Sequence, residues 1–72
     1  MRLKKGTLVT VNDHTDIHHG RMGVVKQVSA EKGSPPLYLV VQAHRERPQI
    51  FGWYFDHSLL AVISNTEKRR NS

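Results

Sequence analysis

Apolar and β-branched residues come in short runs along this chain, and no run keeps a helical period for more than a turn. Thr7-Leu8-Val9-Thr10-Val11 alternates and is β-branched, which predicts a first strand. Further strands are predicted over Arg21 to Val28, Leu37 to Ala43 and Gln49 to Phe55, with a shorter one over Leu59 to Ile63. Asn12 to His19 is polar, rich in Asp, Asn and His, and reads as a long irregular first loop. Glu31-Lys32-Gly33-Ser34-Pro35-Pro36 ends the second strand, because proline has no N–H to give to a ladder. His44-Arg45-Glu46-Arg47-Pro48 is a charged connector, and Asp56-His57-Ser58 a short turn. From Asn65 onward the chain is polar and is expected to fray.

Two local patterns sharpen this reading. Gly20 and Gly23 stand three apart at the start of the second strand, where glycine permits positive φ or very close packing. In the fourth strand, strict alternation puts Phe51, Trp53 and Phe55 on one face and Ile50, Gly52 and Tyr54 on the other. The first set reads as the buried stripe. Tyr54 and Tyr38 are then the aromatics expected outside, where a tyrosine beside arginines can stack on a base or anchor a partner.

With 72 residues there is room for one domain, expected over residues 1–64, with 65–72 as a flexible basic tail. Such a chain buries only about 60% of its unfolded surface, so the core is small. The absence of cysteine excludes a disulfide framework. The fold class expected is all-β, a small five-stranded antiparallel SH3-like barrel with a long first loop. An oligonucleotide-binding barrel also has five strands but usually needs a longer chain.

The block Lys5-Gly6-Thr7-Leu8-Val9-Thr10-Val11, followed by Gly20-Arg21-Met22-Gly23-Val24-Val25-Lys26-Gln27-Val28, resembles the KOW type of SH3-like barrel. Domains of that type occur in transcription-elongation factors and ribosomal proteins. The resemblance maps the family glycine onto Gly23, makes Val25 and Val28 barrel-facing, and matches Leu39-Val40-Val41 to the Val-rich strand. The closing stretch from Trp53 to Val62 is similar to small SH3-like accessory subunits of cyanobacterial and plastid electron-transfer complexes. The long His-rich first loop and the double proline depart from the KOW pattern.

Charge bears on the choice of partner. Eleven Lys/Arg against six Asp/Glu give a net charge of +5, which favours an acidic partner. Arg21, Lys26, Arg45 and Arg47, with Lys4 and Lys5, either form one cationic face or are scattered around a solvated barrel. No apolar run approaches the roughly 20 residues that cross a bilayer, so a cytoplasmic protein is expected.

Catalysis finds little support. Asp56, His57 and Ser58 carry the letters of a triad, but neighbours in a strand-to-turn segment cannot converge as a triad requires. No glycine-rich phosphate loop precedes a helix. His14, His18 and His19 are weak metal-ligand candidates whose spacing matches no metal motif, so no cofactor is expected. The sequence therefore points to a non-catalytic binding module. Its favoured role is as a small regulator or accessory protein on RNA polymerase or the ribosome, or on nucleic acid itself. An accessory subunit of an electron-transfer complex is the alternative, and histidine-loop metal binding the second alternative.

Overall fold

The computed structural model describes residues 3–62. Five strands run in the order β1 (Leu8–Val11), β2 (Met22–Ser29), β3 (Leu37–Gln42), β4 (Ile50–Phe55) and β5 (Leu59–Ala61). A 3₁₀ turn over Asp56–Ser58 separates the last two. All pairings are antiparallel, in the spatial order β4-β3-β2-β1-β5. All five strands read from the sequence are present. The sheet is compatible with an SH3-like small β fold, but it stays open, with β4 and β5 as its edges. The tail expected over residues 65–72 lies outside the described residues.

One face of this sheet is dry. Val9 and Val11 from β1, Val25 from β2, and Tyr38 and Val40 from β3 are buried, joined by Phe51, Tyr54, Leu59 and Leu3. Among the described residues no α-helix covers that face. A single sheet can exclude water from one side in this way only by curling over its own side chains. Burying a valine or leucine contributes about 1.5–3 kcal/mol, so this cluster is what holds the curl.

Two bulges set which residues point inward. Val25 pairs with Val40 but Gln27 with Leu39, leaving Lys26 as an extra residue in β2. The inward positions therefore become Val25 and Val28, three apart. Val25 is buried and Val28 packs against the core, as the resemblance implied. In β4, Val40 faces Gly52 while Val41 faces Ile50, so Phe51 is the extra residue. Gly52 has φ of 138°, a conformation that a side chain resists.

The second bulge overturns the expected stripe. Beyond it the alternation is reset, so Phe51 and Tyr54 turn inward while Trp53 (47% exposed) and Phe55 (40%) turn outward. Tyr38 is likewise core rather than surface: it pairs with both Tyr54 and Val28 on the inner side and is fully buried. Neither tyrosine is available to stack on a base. Their hydroxyls are used inside, Tyr38 Oη accepting from Leu3 N at 3.2 Å and Tyr54 Oη donating to Phe51 O at 3.4 Å.

The two glycines at β2 divide their roles. Gly20 has φ of 83° in the turn entering the strand. Gly23 is buried beneath β3, where a Cβ would run into the Val40 side chain and stand 2.8 Å from Val41 O and 3.3 Å from Phe51 Cε2. At Gly23 glycine is required for close approach of two strands.

Candidate interaction surface

The first loop is held by its own polar side chains. Asp16 N donates to Asp13 O at 2.9 Å and His19 N to Asp16 O at 3.1 Å, making two successive turns. Asp13 Oδ1 accepts from Thr15 N at 3.0 Å and Thr15 Oγ1 at 2.6 Å, and Asp16 Oδ1 accepts from His18 N at 2.7 Å. The Thr15 hydrogen bonds hold the Asp13 carboxyl below its usual range, helped by His14 and His19 nearby. Expected as irregular, the segment is a stack of side-chain-capped turns.

That loop drops His18 into one end of the curled sheet. Its ring is buried and stacks on Phe51, with 4.4 Å between centroids and 17° between planes. The Arg21 guanidinium lies 5.0 Å from the Phe51 ring centroid, with Nη1 3.3 Å from His18 Nδ1 and 3.5 Å from Gln49 Oε1. Below it sits Tyr54. Burial, with the Asp16 carboxylate near its hydroxyl and Asp13 beyond, pushes the phenol up to about 12.

The histidines do not converge. His18 Nδ1 meets Arg21, and His19 Nδ1 accepts from Asp13 N at 3.1 Å. His14 lies against His19 at 4.3 Å between centroids. Among the described residues no three His, Cys, Asp or Glu side chains gather in a group able to hold a metal ion.

The cations fall into two groups. Arg21 reaches Gln49, and Ala43 N donates to Met22 O at 3.2 Å, so Arg21 and the connector bearing Arg45 and Arg47 share one end of the sheet. Lys26, in the β2 bulge, lies with Lys5 along a shallow concavity of about 360 Å³. Seven of the eleven Lys/Arg and five of the six Asp/Glu fall within residues 3–62, so this part carries a net charge of only +2.

Sequence reasoning missed the outer face of the sheet. Cross-strand rows there run Ile50–Val41–Val24–Leu8, Trp53–Leu39–Gln27 and Phe55–Leu37–Ser29, with Met22–Thr10–Leu60 beside them. None of these positions is charged, whereas the solvent face of an antiparallel sheet normally alternates to polar residues. Ile50 is 64% exposed, and Met22, Trp53, Phe55 and Leu60 are exposed too. At one end Phe55, Leu37 and Pro35 floor an open cleft of about 310 Å³, rimmed by Ser29, Ser34 and Glu31. The missed signal was Gly52: a glycine inside a strand marks a bulge, and the bulge decides which aromatics face out.

Among the described residues no helix is long and apolar enough to cross a membrane. Comparison with protein-family models, with curated proteins and with solved structures gives no match to this chain.

Proposed function

We propose that this protein is a non-catalytic binding module of the KOW-like, SH3-like class, a small regulator or accessory protein that docks on a nucleic-acid machine. The observation that carries this reading is the largely apolar outer face, with Trp53 and Phe55 exposed along its β4 edge. Exposed aromatic residues are the side chains that dominate protein interfaces. Arg21, Arg45 and Arg47 stand at one end and Lys26 at the bulge, where they would meet acidic groups and speed encounter. The KOW-like assignment is supported by Gly23, whose missing side chain lets β2 and β3 close together.

The chemistry of the face favours the protein surface of such a machine over bare nucleic acid. Phosphates need several cations within the contact, and this face is bordered only by Lys5 and Lys26 beside Val24 and Gln27. Trp53 is the only tryptophan, so a hydroxylated tryptophan analogue incorporated there, excited to the red of a partner's own tryptophans, gives emission that reports on occupancy of this face. Titration with purified RNA polymerase or ribosomes should shift that emission, and Phe55→Ala should weaken binding at least tenfold. Titration with single-stranded RNA and duplex DNA should have little effect at physiological salt. If neither machine changes the emission, the proposal fails.

A further inference from the structure

The two edges of the sheet are protected differently. β5 is three residues long, which is itself a defence against pairing with another chain. β4 has six residues, and from Gln49 to Phe55 it contains neither charge nor proline. Ile50, Trp53 and Phe55 on this strand are exposed by 64%, 47% and 40%. Such an edge is a template for strand addition.

Its flanks carry opposite charge. Arg45 and Arg47 precede the strand, and Asp56 follows it. A two-fold axis between Phe51 and Gly52 would set two β4 strands antiparallel with Arg47 of each copy opposite Asp56 of the other. The same register places Ile50 opposite Trp53, both of them outward, and sets each copy's bulge against its equivalent. Outward Ile50 thus meets outward Trp53, and Arg47 meets Asp56. The strand between them is uncharged, so no like charges face each other along the ladder itself.

We propose that β4 pairs antiparallel with β4 of a second copy of this chain, joining two five-stranded sheets edge to edge with a continuous outer face. The pairing rests on topology and charge order and is independent of the docking reading above.

The test is sedimentation equilibrium of the full chain over a concentration series. The mass should rise from 8.3 kDa toward twice that value. Arg47→Asp and Asp56→Arg each create two like-charge contacts by symmetry and should weaken self-association about tenfold. Both changes lie outside the core, and circular dichroism checks that each variant is folded. An equimolar mixture of the two variants should recover wild-type association, because their heterodimer has two matched pairs. A chain that stays monomeric at millimolar concentration overturns the proposal, as does a mixture no tighter than either variant alone. A monomer that still binds polymerase or ribosomes would sink this inference and leave the docking reading intact.

Discussion

The His18 ring lies on Phe51, 17° from parallel, and its Nδ1 faces Arg21 Nη1 at 3.3 Å. One buried imidazole thus ties the first loop to β4 and steadies the best-placed arginine. His18→Ala should remove the stack and leave Phe51 partly wet, at a cost of about 2 kcal/mol in urea unfolding. His18→Phe keeps the stack while removing the acceptor for Arg21, and should recover most of that loss. Equal destabilisation by both variants would show that the stack contributes little.

Gly23 is the tightest position in the sheet. A Cβ there meets the Val40 side chain and the Val41 carbonyl, and a carbonyl within a ladder cannot move aside. Gly23→Ala should therefore destabilise by about 3 kcal/mol. Adding Val40→Ala clears only the side-chain clash, so the double variant should stay well below wild type in its denaturation midpoint.

Tyr54 gives the fold an alkaline limit. Its phenol is pushed from 10.0 up to about 12, chiefly by burial, so the folded state holds the proton more tightly than the unfolded chain does. The stabilisation is complete below pH 10 and is lost as pH rises toward 12. Tyr54→Phe should lose that part of the slope when unfolding free energy is followed through this range.

Asp13 has the opposite sign. Its carboxyl is held below 3.8 by Thr15, so its support of the first loop is present above that pH and fades as pH falls through the lowered value. Thr15→Val removes the hydroxyl donor but keeps the backbone one, so it should move the matching acid-side change in the loop amide resonances to higher pH without abolishing it.

Trp53 should behave as a surface residue. Its emission should resemble free tryptophan and be quenched readily by acrylamide. Trp53→Ala should cost no more than about 1 kcal/mol, through its cross-strand partner Leu39. By contrast, Tyr38→Ala should cost about 4 kcal/mol, because it empties the middle of the core.

The five strands were legible because each is a β-branched or aromatic run ended by glycine, proline or a polar cluster. Val25 and Val28 both face inward, as expected, because the extra residue Lys26 lies between them and resets the alternation. The aromatic strand was misread at a single residue. Alternation is a relative signal, and one extra residue at Phe51 inverts every assignment after it. Tyr38 gave no local cue either, since Leu37-Tyr38-Leu39-Val40-Val41 is apolar on both faces. His18 was read as one of three loop imidazoles because nothing in the sequence marks which of them turns inward. The basic residues could not be grouped from the sequence, since their grouping depends on which loops share an end of the sheet.

Leu3 stands ahead of every strand, yet its side chain belongs to the core and its amide donates to the deepest phenol in the fold. The leading segment is thus a plug as well as a lead-in. Shortening the chain past Leu3, by processing or by design, would strip an interior oxygen of its donor and let water in beneath the curled sheet.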